Sequence, residues 1–481
     1  MQNGKLYLGI DAGTGGVRCT VCTANGFCTA AASEPLVDAE VPGLPAGRHE
    51  QHPESWWAAL VKCVRRLDCD LAQVAALCVD STSGTVLFLD SSGKPLRPAI
   101  MYNDARSASQ AARANAAAGD FLDRHGFRFG SSFALPKVLW VMDNEPELFD
   151  RAAIICHAAD YLAGRLCGAC TFTDTSNALK MGCDLFDSSW PAFIASLGIP
   201  AEKLPRLLNP GQQAGAVCSS AARETGLPEN TCIVAGCTDG TAGFLASGAS
   251  AEGHWASTLG TTLVIRGISR EVIRDPAGRV YCHRHPAGCW LPGAACSVGG
   301  ECLAHFFPSE NLAALDDLAA ALRTTDLVCY PLVRRGERFP FTDDAAEGFF
   351  SREAASREEL YLALLEGVAF AERWAMEVLG SLGANVAGPV FATGGGAASG
   401  VWLGIRASVL GRELHVPERA GCEFGAAALA AAPEYGGVAD ACRGMVRIAH
   451  IAAPDAARKD YYEDKYARFR RLCTARGYVT A

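Results

Sequence analysis

The chain has 481 residues, 49% of them hydrophobic and 20% charged, with a formal net charge of −9. That length exceeds one ordinary core and implies two large domains, and an acidic balance without a basic stripe argues against a nucleic-acid partner. The opening residues, MQNGKLYLGID, lack the apolar core of a signal peptide. No apolar run reaches the roughly 18 residues that span a membrane, so a soluble, cytoplasmic chain with no membrane partner is expected.

In chain order, KLYLGID and VRCTVCTANG read as two strands, the second closed by an Asn25-Gly26 hairpin turn. ESWWAALVKCVRRL places Trp57, Leu60, Val61, Val64 and Leu67 on one helical face. The apolar strand VAALCVD follows, and then TVLFLDSSGKPL, a strand, a turn and a strand. This order predicts a mixed sheet with helices. The second half restarts the pattern. HWASTLGTTLVIRG reads as strand, Gly-Thr-Thr turn, strand; a long helix, REELYLALLEGVAFAERWAMEVL, comes later, before the strand PVFATGGG and the helix ASGVWLGIRASVLG. Each half thus opens with a strand, a glycine/threonine turn and a second strand. The expected division is into residues 1–245 and 246–481.

The 21 cysteines are scattered, as expected of reduced thiols acting as small buried hydrophobes. Two Cys-x-x-Cys matches, Cys19 with Cys22 and Cys167 with Cys170, lack the second converging pair that zinc needs. His283 and His285 in HRH lack a third ligand. No metal is assigned to any of them.

Four clusters carry candidate chemistry. In GIDAGTGGVR, Arg18 stands where a dinucleotide fingerprint needs its third glycine, and no Gly-Lys-Ser/Thr follows. Both of those motifs open a helix, whereas this one opens a strand. Its hairpin tip, Gly13, Thr14 and Gly15, can offer backbone N–H groups and a hydroxyl to phosphate oxygens, or be an ordinary glycine-bulged turn. Asp11 would repel phosphate directly but suits a Mg²⁺ ion held through water. In VAGCTDGTAG, Asp239 ends a strand and can serve as a general base or as a helix cap. STLGTTLV repeats the hairpin chemistry with Gly260, Thr261 and Thr262. FATGGGAASG places Gly394, Gly395 and Gly396 between a strand and a helix, where a flat adenine could lie against backbone.

Together these motifs resemble the FGGY family of carbohydrate kinases, within the sugar kinase–Hsp70–actin superfamily, along essentially the whole chain. The resemblance implies two ribonuclease H-like (actin-like ATPase) α/β domains around a central cleft. ATP would span the cleft with Mg²⁺ near Asp11, and a sugar would bind the N-terminal domain. It implies Asp239 as the catalytic base and Gly13, Thr14, Gly15, Gly260, Thr261, Thr262 and Gly300 at the phosphates. Nucleotide contacts fall on Gly395, Gly396 and Ser399. Many relatives carry Gly-Thr-Ser where this chain has Gly13-Thr14-Gly15. Glu337 and Arg338, in the family's Gly-Glu-Arg-x-Pro stretch, read as structural loop ties.

The sugar side departs from xylulokinases, which carry Gln-Met-His where this chain has VDSTSGTVLFLD (79–90). Its Thr82, Ser83 and Gly84 resemble the D-ribulose kinase-like branch, as do TSNALKMG (175–182), GAACSVGGECLAHFFP (293–308) and RRGERFPF (334–341). Substrate contacts are expected at Asp11, Thr82, Ser83, Gly84 and Asp239. Asp104 matches a substrate-side aspartate of xylulokinases or pairs with Arg106, and Lys180 reaches sugar or is structural. The expected reaction is ATP-dependent conversion of D-ribulose to D-ribulose 5-phosphate. D-xylulose or another ketose or polyol is the alternative substrate, and an actin- or Hsp70-like ATPase the alternative class. A homodimer is the one assembly considered.

Overall fold

In the computed structural model, which describes residues 4–479, the chain forms two compact units. The first comprises residues up to 246 together with 283–288 and 421–446; the second comprises 247–282, 289–420 and the chain from 447 onward. Whereas the expected division at 245/246 was a contiguous one, these units are interleaved.

The first unit is built on β1 (Leu6–Gly13), β2 (Gly16–Thr23), β3 (Cys28–Pro35), β4 (Val74–Ser81), β5 (Gln213–Ala216) and β6 (Cys232–Val234). They lie in the order β5-β6-β4-β1-β2-β3. β1, β4 and β6 are parallel, and the remaining pairs are antiparallel. The period-2 alternation of β1 sends Leu6, Leu8, Ile10 and Ala12 to one face, where they meet Trp56, Trp57, Leu60 and Val64 of α1 (Pro53–Arg65). Tyr7 faces the other way, with Ala76 and Cys78 of β4. α2 (Asp239–Ala246) lies on that second face.

The second unit contains β7 (Trp255–Leu259), β8 (Leu263–Gly267), β9 (Trp290–Ala295), β10 (Val390–Thr393), β11 (Leu414–Pro417) and β12 (Ile448–Ala452). Their order is β9-β8-β7-β10-β11-β12, with β7, β10 and β11 parallel and the rest antiparallel. This repeats the first unit's pattern of an antiparallel hairpin, two parallel additions and an antiparallel edge, but a seventh strand, Tyr281–Arg284, comes between β8 and β9 in the chain and pairs on the outer side of β9. α3 (Arg357–Ser381) and α4 (Gly400–Leu410) cover this unit. The fully buried Arg406 of α4 bonds both Glu372 oxygens, at 2.7 and 2.9 Å, and the Ser257 hydroxyl of β7 at 2.9 Å, tying two helices to the sheet.

Finally α5 (Cys422–Tyr435) completes the first unit's core. It is an alanine-rich helix, with Ala426, Ala427, Ala428, Ala430, Ala431 and Ala432 all buried, and it lies directly on β1. Gly9 is what allows this approach, because a Cβ there would sit 1.8 Å from the Glu423 carbonyl oxygen. Backbone cannot retreat as a flexible side chain would, so Gly9→Ala should destabilise the protein by about 1–3 kcal/mol or more. Gly404, within α4, has open space around it. Gly404→Ala should stabilise by roughly 0.5–1 kcal/mol. Urea unfolding of the two variants checks both signs, and equal midpoints would contradict the packing argument.

Candidate active site

Three aspartates gather where the parallel strands of the first unit end. Asp11 of β1 and Asp80 of β4 are direct register partners. Alternation places both on the face of Tyr7, Ala76 and Cys78, the face that α2 and α5 cover. Ser81 bridges Thr238 in parallel fashion, so Asp239 follows immediately at the first position of α2. Its Oδ1 accepts the Gly240 N–H at 2.6 Å. The Ser176 hydroxyl lies 3.1 Å from Thr238 Oγ1 and 3.2 Å from Thr241 Oγ1, fixing this turn from below.

The charges are unbalanced. Arg18, directly opposite Asp11 on β2, donates to Asp11 Oδ2 at 2.9 Å. Asp80 is wholly buried, and neither of its oxygens has a hydrogen-bond donor. Burial raises the Asp11 carboxyl above its ordinary range; Asp80 and Arg18 pull it back and Asp239 adds to the rise. Burial raises Asp80 much further, and Asp11 and Asp239 push the same way. Cys422, at the first turn of α5, completes a cluster with Asp11 and Asp80 whose ligand atoms lie within 4.8 Å of one another.

Beyond Asp80 runs the loop of Thr82, Ser83 and Gly84. Gly84 is in a left-handed conformation (φ +93°). The Ser83 hydroxyl is buried without a hydrogen-bond partner. Two lysines hold the loop by its carbonyls. Lys180 donates to Ser83 O at 3.1 Å. Lys137, fully buried, donates to the carbonyls of Gly84, Tyr102, Ser131 and Phe133 at 2.8–3.5 Å. Burial lowers the Lys137 ammonium to about 7, with Lys180 pushing in the same direction. A small recess beside the loop is lined by Ala12, Gly13, Gln51, Trp56, Thr82 and Met101. Thr14 is half-buried and Gly15 exposed at the tip of the β1–β2 hairpin, where Gln51 Nε2 donates to Thr14 O at 3.0 Å.

Asp104 lies near the Lys137 end of this group, close enough for its charge to act on that ammonium. It is buried and accepts from His49 N at 2.6 Å and from Arg106 N, Nε and a terminal guanidinium nitrogen at 2.7–2.9 Å. The Arg106 pair is therefore formed, and these donors occupy the carboxylate.

In the second unit the β7–β8 turn exposes Thr261 and half-buries Thr262. Gly300 donates its N–H to Gly260 O at 2.8 Å, so it braces the turn from behind; Glu301 N does the same to Thr261 O at 3.1 Å. The brace is itself anchored. Glu337 accepts from Ser297 N at 2.5 Å and Tyr330 Oη at 2.7 Å, and Arg338 donates to Cys296 O at 3.1 Å. Gly-Glu-Arg-x-Pro is thus a structural tie, as its sequence implied. After β10, Gly395 has open space around it, whereas Gly396 is buried against Leu259. Ser399 caps α4 by accepting Trp402 N at 3.0 Å.

Asp80, Arg18, Cys422 and Lys137 were missing from the sequence-derived site. For Asp80 a signal existed, since GID and CVD close two strands in the same phase. For Cys422 there was none.

The N-terminal domain model of the FGGY family of carbohydrate kinases matches residues 6–246, and its C-terminal domain model matches residues 255–433. Among curated relatives, a xylulose kinase of Bacillus subtilis (strain 168) is 30% identical over 448 residues, covering 89% of this chain and 88% of its own. One of Escherichia coli (strain K12) is 29% identical, covering 97% and 98%. The crystal structure of a xylulose kinase from Rhodospirillum rubrum superposes with a TM-score of 0.84 at 29% identity, covering 98% and 99%. A Plasmodium falciparum glycerol kinase with ADP, at 18% identity and a TM-score of 0.83, shares the fold.

The chain belongs to the FGGY family of carbohydrate kinases, with the actin-like ATPase fold, and is an ATP-dependent sugar kinase. Among the described residues, no helix is long and apolar enough to cross a membrane. If Lys137 holds the sugar-side loop, Lys137→Met should raise the KM for sugar by about tenfold, the scale of losing charged hydrogen bonds worth ~1.5–3 kcal/mol, and change kcat much less. Steady-state kinetics with saturating ATP checks this, and an unchanged sugar KM would contradict it.

Proposed function

We propose that this kinase phosphorylates a 2-ketopentose on a primary hydroxyl, with D-ribulose preferred and D-ribulose 5-phosphate the product. The observation that carries the reading is the placement of the Thr82-Ser83-Gly84 loop. It leaves β4 beside Thr238, next to Asp239, and presents a buried hydroxyl, that of Ser83, with no protein partner. An unsatisfied buried hydroxyl is costly unless something fills its bonds, and a polyhydroxylated acceptor does so. The absence of Gln-Met-His at residues 79–90 supports a sugar site unlike that of typical xylulokinases. D-xylulose is the second reading, favoured by the relatives named xylulose kinase.

In this reading Asp239 accepts the proton of the attacking hydroxyl, its carboxylate steadied by the Gly240 N–H. Thr82 and Ser83 orient the acceptor, and positioning supplies most of the rate. Gly13, Thr14 and Gly15, and likewise Gly260, Thr261 and Thr262, are hairpin tips suited to ATP phosphate oxygens. Gly300 acts by bracing the second turn, Gly395 and Gly396 form the adenosine-side backbone, and Ser399 fixes the start of α4. The residues fit a Mg²⁺ ion. Asp11 and Asp80 are adjacent carboxylates, one arginine pairs with Asp11 from the far side, and both Asp80 oxygens lack donors, which is a hard-cation donor set. Mg²⁺ would supply charge neutralisation at the phosphates, held by Asp11 through water and by Asp80.

Two measurements test the reading. Asp239→Asn should lower kcat by about 10²–10⁴-fold while ATP binding persists; near-normal turnover would remove Asp239 from the base role. Coupled ADP release across pentuloses, pentitols and glycerol should give the highest kcat/KM for D-ribulose. Equal or better turnover of D-xylulose would select the second reading.

A further inference from the structure

We infer that Asp11, Asp80 and Cys422 form a binding site for a thiophilic divalent cation, zinc being the natural probe. The ligand atoms of these three residues lie within 4.8 Å of one another, and they come from β1, β4 and the first turn of α5. Three rigid elements therefore bring one donor each to a common region, and binding an ion would draw those donors closer together.

The cluster is more than a coincidence of acidic groups. Asp80 is wholly buried, and both its oxygens lack a hydrogen-bond partner. The register places the Asp11 carboxyl directly beside it. Two such groups can bond each other only through a shared proton or cation, and the single guanidinium in contact, Arg18, is spent on Asp11 Oδ2. Asp239 adds further negative charge to both. A wholly buried carboxyl with no other protein donor is held either by a proton shared with its neighbour or by a cation.

The thiol decides which cation suits all three ligands. Mg²⁺ is hard and takes oxygen, so it engages the two carboxylates and leaves sulfur alone. Zinc and similar ions accept a mixed thiolate and carboxylate set. On binding, Cys422 releases its proton to solvent and its sulfur becomes the third ligand. Nothing in this depends on the identity of the sugar. Because Asp11 is shared with the proposed Mg²⁺ position, occupancy by a thiophilic ion should oppose turnover.

The test reads binding directly, on the full chain. Cobalt(II) is titrated as a spectroscopic stand-in for zinc. The expected result is a thiolate-to-cobalt charge-transfer band saturating at one equivalent, absent in Cys422→Ser. In Asp80→Asn its affinity should be weaker by roughly tenfold or more, the scale on which losing one supporting group weakens a metal site. No band in the unaltered protein, or a band unchanged in Cys422→Ser, overturns the proposal. A second measurement needs no variant: zinc should protect Cys422 from alkylation, followed by peptide mass spectrometry, and Mg²⁺ should not. Equal labelling with and without zinc also overturns it.

Discussion

The contact on which the first unit depends is the seating of α5 against β1 at Gly9. A side chain at that position would collide with the helix backbone, so one missing Cβ sets the distance between helix and sheet. The alanines of α5 follow from the same constraint. A helix held that close, with α2 packed beside it, has room for methyl groups and little more. Close packing then carries Cys422 to the mouth formed by Asp11 and Asp80. Packing and chemistry therefore share one origin.

The second consequence is electrostatic. Parallel strands ending in phase bring Asp11 and Asp80 side by side, and the bridge from Ser81 to Thr238 adds Asp239. Three carboxylates gather beside one guanidinium; Asp11 and Asp80 are buried, Asp239 is half-buried and Arg18 reaches solvent. Folding alone gains nothing from that arrangement; such a concentration of charge is expected where a cation and a phosphoryl group are handled. The sugar-side loop shows the complementary economy. Its backbone is clamped by lysines, and a serine hydroxyl is left without a protein partner.

Local chemistry in the sequence was read well. Both glycine/threonine hairpins, the strand leading to Asp239 and the helix opened by Ser399 were visible because turns and alternation are encoded within a few residues. The tie made by Glu337 was readable for the same reason. What escaped was long-range. Cys422 lies in an alanine-rich helix whose destination nothing nearby announces. The interleaving of 421–446 with the first unit is a tertiary fact with no local mark. Lys137 sits in an apolar helix, and only its four carbonyl partners explain it. Asp80 is legible in principle, through its phase match with Asp11, although the sugar-side resemblance rests on the neighbouring Thr82, Ser83 and Gly84. Gly300 and Gly396 fall in glycine clusters whose resemblance implies ligand contact; the structure adds that Gly300 braces a turn with its N–H and that Gly396 packs against Leu259.

The late arrival of α5 also shapes how the chain acquires its structure. The Tyr7 hydroxyl donates to Glu434 across 427 residues of chain, so one face of the first sheet is covered by a helix made long after the sheet itself. During synthesis, Tyr7, Cys22, Ala76, Cys78 and Val234 are available before their cover exists. Domains fold as units from the N-terminus when they can, and non-local closure is slow. Here the first unit cannot finish until the second has largely been made. The interleaving couples the two halves in folding order, and a nascent or truncated chain ending before α5 carries an open apolar sheet face that invites association.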